Sequence, residues 1–100
     1  MTGRETIRAG HGIEAGASVI CHSHLEANWG IRSGESIIAS GAIRVGESVQ
    51  AYEKIQAGEG YGIFAGLQVP FDDWATSAQI RASVRPERLM SGWWAGSLLA

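Results

Sequence analysis

His11, His22 and His24, with Cys21 beside His22, are the side chains of this sequence most suited to chemistry. Neutral imidazole and thiolate are both zinc ligands, so a cluster of these residue types is a candidate metal site. His-x-His spacing is a weak signal by itself, and polar turn residues are the plain alternative. The three imidazoles become a site only if the fold brings His11 to His22 and His24. No Ser/His/Asp or paired-carboxylate arrangement follows from spacing elsewhere in the chain. Gly58-Glu59-Gly60-Tyr61-Gly62 is glycine-rich but opens no helix, which a phosphate loop requires. No catalytic residue and no cofactor are therefore expected. Two further sets are candidates for binding: Glu35, Glu47 and Glu59, spaced by twelve, and the aromatics Trp29, Tyr52 and Phe64.

What positions these residues is a six-residue rhythm. Large apolar residues stand at Ile7, Ile13, Val19, Leu25, Ile31, Ile37, Ile43, Val49, Ile55, Tyr61 and Leu67. Two residues later comes a small or apolar one, as at Ala9, Ala15, Cys21, Ala27, Ser33 and Ala39, often followed by glycine. Side chains alternate along a strand, so each hexad reads as a three-residue strand and a three-residue turn. The first and third residues of each triplet face inward, and Arg8, Glu14, Arg32, Arg44 and Gln56 face out. Six is not a helical repeat, and glycine costs about 1 kcal/mol in a helix interior, so a helix is excluded. Strands this short cannot make useful hairpins, but they can wind as a parallel β-solenoid with rungs about 4.8 Å apart.

The number of hexads per coil decides which turn residues meet. At a lag of twelve, Gly34-Glu35-Ser36 falls over Gly46-Glu47-Ser48 and Gly58-Glu59-Gly60, Arg32 over Arg44, and Glu14 over Glu26. At eighteen these matches dissolve, with Glu14 over Arg32. Two hexads per coil is the expectation, and a triangular coil of three is the alternative. In the two-hexad winding His11, His22 and His24 share one corner and Glu35, Glu47 and Glu59 form a stacked acidic column. Tyr52 and Phe64 stack on the other corner, with Trp29 nearby. These columns exist only in that winding.

Residues 1–6 read as a polar lead-in, 7–69 as the solenoid, and 70–100 as a C-terminal cap, all within one domain. Pro70-Phe71-Asp72-Asp73 is a turn signal. Ala78–Val84 and Leu89–Leu99, the latter interrupted at Gly92 and Gly96, read as two short strands. Trp93-Trp94 would pack over the last coil, shielding an open end that invites aggregation.

The chain has 100 residues, 14 of them glycine against a usual ~7%, and a net charge of −2. It has no basic run, so no nucleic-acid partner is expected. The lone Cys21 excludes an internal disulfide and reads as a buried thiol in a reducing compartment. No signal-peptide layout or membrane-length apolar run is present, so a cytoplasmic protein is expected.

Hexapeptide-repeat acyltransferases share the period and wind three hexads per coil, but their small residue lies two before the aliphatic one. No protruding loop is read in the repeat to build such an active site. Ile43-Arg44-Val45-Gly46, Ile55-Gln56-Ala57-Gly58, Ile63-Phe64-Ala65-Gly66 and Gln79-Ile80-Arg81-Ala82 resemble small bacterial proteins of Gly-Ile-x-Ala-Gly repeats with a short cap. Some of these accompany polymorphic or contact-dependent toxin genes. That resemblance implies an immunity protein that neutralises a cognate toxin by binding it, and carries over no binding residue. Here Cys21-His22-Ser23-His24, Asn28-Trp29 and Tyr52-Glu53-Lys54 replace the expected Gly-x-Gly turns, where partner specificity would be written. The expectation is a non-catalytic binder, a monomer or small homo-oligomer, whose partner is a basic toxin domain gripped by Glu35, Glu47 and Glu59 with Trp29, Tyr52 and Phe64. A self-assembling scaffold resembling bactofilin filaments is the first alternative, and a hexapeptide-type acyltransferase the second.

Overall fold

The structure, a computed structural model, describes residues 2–69, 78–82, 86 and 89–96, with Trp93 described through its backbone alone. It is an all-β parallel solenoid of about four turns. Its strands are Thr2–Gly3 (β1), Ile7–Ala9 (β2), Ile13–Ala15 (β3), Val19–Cys21 (β4), Leu25–Ala27 (β5), Ile31–Ser33 (β6) and Ile37–Ala39 (β7). Ile43–Val45 (β8), Val49–Ala51 (β9), Ile55–Gln56 (β10), Ile63–Phe64 (β11), Gln79–Arg81 (β12), Leu89–Ser91 (β13) and Trp93–Gly96 (β14) follow. From Ile7 to Gln56 every hexad supplies its strand where the alternation of apolar and polar residues puts it. Thr2–Gly3, inside the expected lead-in, adds one more by pairing with Ile20 and Cys21. Among the described residues no helix is long and apolar enough to cross a membrane.

The coil holds three hexads, not two. Ile7 pairs with Leu25 and then Ile43, Ile13 with Ile31 and then Val49, and Val19 with Ile37 and then Ile55, steps of eighteen residues. The strands thus form three sheets: a first face β1-β4-β7-β10, a second face β2-β5-β8-β11-β13 and a third face β3-β6-β9-β12-β14. The outward side chains give the reason. A lag of twelve stacks Arg32 on Arg44 and Glu14 on Glu26, like on like. Eighteen builds Arg8–Glu26–Arg44 on the second face and sets Glu14 against Arg32 on the third. Opposite charges facing each other across strands contribute roughly 0.2–1 kcal/mol, whereas like charges destabilise. Arg8 Nε lies 3.6 Å from Glu26 Oε2.

Inside the prism, Val19, Leu25, Ile31, Ile37, Ile43, Val49 and Ile63 are fully buried, with small residues such as Ala39, Ala51 and Cys21 between them. The Cys21 thiol is buried as expected, its Sγ 3.1 Å from the His24 carbonyl oxygen and 3.3 Å from that of Glu5. Ser33 occupies an alanine column between Ala15 and Ala51. Its hydroxyl hydrogen is shared between the carbonyls of Ala17 (2.8 Å) and Ser36 (3.0 Å), while its oxygen accepts the Glu35 N–H at 3.1 Å. A hydroxyl so placed adds corner closure to core filling. Ser33→Ala should therefore lower stability by about 1–2 kcal/mol in urea unfolding, although alanine fits the column.

The rhythm is interrupted twice, which the sequence pattern conceals. Ile55 pairs with Ile37, but Ile63 rather than Tyr61 pairs with Ile43. Two extra residues are taken up by a turn over Gly58–Tyr61, closed by the Tyr61 N–H on the Gly58 carbonyl (3.0 Å), with Gly60 at φ 82°. That positive φ is the reason glycine stands at the turn's third position. Tyr61 and Leu67, counted among the apolar beats, are consequently exposed, while Ile63 points inward. The second interruption lies between β11 and β12, where the pairing of Ile80 with Val49 departs from the step of eighteen. The turn expected at Pro70–Asp73 lies outside the described residues.

The C-terminal strands continue the sheets. Ile80 pairs with Val49, Leu89 with Ile63, and Trp94 with Ile80. Of the expected strand Leu89–Leu99, the described residues form two strands, on different faces, with Gly92 (φ 91°) at the corner between them. Trp94 packs against the core from the last rung.

Candidate functional site

Three corners join the faces. The first, between the first and second faces, carries residues 22–24, 40–42 and 57–62. The second, between the second and third faces, carries 10–12, 28–30 and 46–48. The third carries 16–18, 34–36 and 52–54. Three hexads per coil scatters the columns that a lag of twelve assembles. His11 lies at the second corner and His22 and His24 at the first, so the three imidazoles do not converge. Among the described residues no group of three His, Cys, Asp or Glu side chains could hold a metal ion. The glutamates separate in the same way: Glu35 at the third corner, Glu47 at the second and Glu59 at the first. No acidic strip forms, because residues twelve apart sit on different corners of a three-sided coil.

Each residue has other company instead. His11 stands edge-on to Trp29, ring centroids 4.5 Å apart, and Glu47 follows in the same column. The Trp29 N–H bonds the His11 carbonyl and the Glu47 N–H bonds that of Trp29. His24 Nδ1 accepts the Ala42 N–H at 3.0 Å, so the neutral ring carries its proton on Nε2. Tyr61, from the inserted turn, meets the His24 ring edge-on at 5.2 Å. Glu35 Oε1 accepts from both the N–H (3.1 Å) and the hydroxyl (3.3 Å) of Ser18 on the preceding coil. One coil on, Glu53 Oε1 accepts the Ser36 hydroxyl at 3.3 Å. Carboxylates at the third corner thus tie successive coils together. That occupies Glu35 in holding the coil, a role the acidic-strip reading does not include.

The aromatic residues also divide. Phe64 lies half-buried on the second face, with the Arg44 guanidinium 6.0 Å from its ring centre. It does not stack on Tyr52, which is exposed at the third corner. Trp29 is 53% and Tyr52 45% exposed, and these two border the same face. Between them runs the outer column of the third face, Glu14–Arg32–Gln50, continued by Arg81. One depression joins Glu14, Arg32 and Gln50 to Trp29 and Glu47. A larger one, of about 660 Å³, joins the same three residues to Tyr52 and Gly34. Among the described residues no side-chain hydrogen bond or ion pair engages Glu14, Arg32 or Gln50.

The three faces therefore differ in character. The second has its outer charges paired with one another and with Phe64. The first presents Ile20 and Ile38, half-buried, in its outer column. The third offers open polar groups between two exposed aromatics, and it is the candidate site. Sequence reasoning found Trp29 and Tyr52 but missed Glu14, Arg32 and Gln50. Their signal was present as charge complementarity at a lag of eighteen.

The triangular coil is the winding of hexapeptide-repeat acyltransferases, but a shared winding carries no chemistry by itself. Comparison with models of protein families, with curated proteins and with solved structures finds no match for this chain.

Proposed function

We propose that this chain is a non-catalytic protein-binding module that engages its partner through the third face. The observation that carries this reading is the placement of exposed Trp29 and Tyr52 on either side of open Glu14, Arg32 and Gln50. Large aromatics at a polar-rimmed surface are typical interface anchors, and core packing gives no reason to expose them. A wound β-scaffold presents such a surface already ordered, so little conformational entropy is lost on binding. Because acid, base and amide alternate along the column, the fitting partner has a surface of mixed charge. The uniformly basic patch expected from an acidic strip loses its basis with that strip.

The narrower reading, supported by resemblance alone, is an immunity protein that neutralises a cognate bacterial toxin in the cytoplasm, where Cys21 stays a thiol. The test is affinity capture from the native host with the unaltered chain and with a Trp29→Ala/Tyr52→Ala variant. A partner held by the first and released by the second, with affinity reduced at least about 30-fold in titration calorimetry, is the expected result. Undiminished binding by the folded variant overturns the assignment of the face. A toxin as that partner supports the immunity role, and a partner without toxic activity removes it.

A further inference from the structure

The outward column of the third face places Glu14, Arg32, Gln50 and Arg81 on four successive rungs, about 4.8 Å apart. At the third corner beside it, the same step of eighteen stacks Gly16, Gly34 and Tyr52. An exposed tyrosine thus follows two bare glycines, and all three line one depression with Glu14, Arg32 and Gln50. At the second corner the corresponding column is His11, Trp29 and Glu47. Laid against a reversed copy of itself, the outward column sets Glu14 opposite Arg81 and Arg32 opposite Gln50. No like charges then face each other, so the third face is its own complement.

We infer that the occupant of the third face is a second copy of this chain. The two faces meet about a two-fold axis lying between them, parallel to the strands and midway between the rungs of Arg32 and Gln50. This rests on the reading of the third face as a binding surface and names what covers it. Such an axis reverses the solenoid direction, keeps each corner over the same corner of the partner, and leaves the two coils on opposite sides of the contact. The first rung meets the fourth and the second meets the third. Two Glu14–Arg81 pairs therefore form at the ends of the contact, with two Arg32–Gln50 pairs between them. At the third corner each Tyr52 faces the partner's Gly34, where no side chain stands in the way of the ring. The two tyrosine rings come about one rung apart, a spacing at which aromatic pairs attract. At the second corner Trp29 faces the partner's Glu47. An axis along the solenoid would instead set Glu14 on Glu14 and Arg32 on Arg32. A shift of one rung opposes Arg32 to Arg32 or to Arg81, and a shift of two pairs only half of the column. Charge therefore selects one register, and a pair of this symmetry closes on itself.

Four rungs make a contact roughly 19 Å tall, the size of weak and reversible associations. Sedimentation equilibrium of the 100-residue chain should show a monomer–dimer system with a dissociation constant of roughly 10–300 µM. Glu14→Arg alone sets Arg against Arg twice, and Arg81→Glu alone sets Glu against Glu twice. Each should raise the dissociation constant roughly tenfold or more. An equimolar mixture of the two restores both opposite-charge pairs and should form a heterodimer about as tightly as the original homodimer. Tyr52→Ala, at an exposed side chain, should weaken the dimer about tenfold and keeps the test open if Arg81→Glu fails to fold. The inference is overturned by an unaltered chain that stays monomeric at about 1 mM, by folded single variants that associate unweakened, or by a mixture that stays dissociated. A foreign partner captured by that monomeric chain and released by the Trp29→Ala/Tyr52→Ala variant would remove the second copy while the third face stands as a binding surface.

Discussion

Ile63→Ala should lower the unfolding free energy by about 3 kcal/mol, within the range for truncating a buried isoleucine, whereas Leu67→Ala should change it by less than about 1 kcal/mol. The six-residue beat puts both inside, Leu67 on the beat and Ile63 two residues after Tyr61, and so expects no such contrast. In the folded chain Ile63 stacks on Ile43 with no exposed surface, and Leu67 is 52% exposed beyond the second corner. Truncating Ile63 removes contacts from an interior that has few ways to collapse around the gap. For a domain of this size each kcal/mol moves the melting temperature by about 4–8 °C, so the Ile63 variant should melt roughly 15 °C lower. Paired thermal and urea unfolding of the two variants checks this. A Leu67 variant that loses as much as the Ile63 variant would place the inserted turn wrongly.

A single methyl group should do similar damage at Gly46. A Cβ there would fall onto the carbonyl oxygen of Asn28 on the coil beneath, 2.8 Å from its carbon and 2.6 Å from Gln68 Cγ. The obstacle is backbone held in a ladder of hydrogen bonds, among them the Gly46 N–H on the Ala27 carbonyl at 2.9 Å. A backbone carbonyl cannot rotate away as a side chain can, so Gly46→Ala should cost about 3 kcal/mol. Gly10 holds the same corner position two coils earlier, where a Cβ meets no atom within 4 Å. Gly10→Ala should stay within about 0.5 kcal/mol in the same urea titration. The contrast separates close approach between coils from any general preference for glycine at corners. Equal losses in the two variants would contradict it.

These two results mark where the sequence is legible and where it is not. Strand positions from Ile7 to Gln56 follow from local alternation, because each triplet needs only its own residues to define an inner and an outer side. The winding number is not local. Repeated identity, Glu35 with Glu47 and Glu59, favours twelve, but identity is the wrong criterion for neighbours in a charged ladder. Stacked charges are stable when they differ, and Arg8–Glu26–Arg44 with Glu14–Arg32 differ at eighteen. The candidate site was half legible for the same reason. Trp29 and Tyr52 stand out by type, as exposed aromatics at turns, whereas the polar column between them requires the correct winding. The insertion over Gly58–Tyr61 escaped notice because Tyr61 and Leu67 are apolar and keep the count, although neither reaches the interior.

The register of β12 has a consequence for how much chain this fold can carry. An ordinary rung closes a loop of eighteen residues, as from Ile31 to Val49, while Ile80 closes back on Val49 after thirty-one. Loop-closure entropy rises only with the logarithm of length, so the longer path adds about 0.5 kcal/mol at that step. Added length at a corner is thus nearly neutral for the coil, provided the strands on either side keep their partners. A surface enlarged at a corner beside the third face need not disturb the winding beneath it.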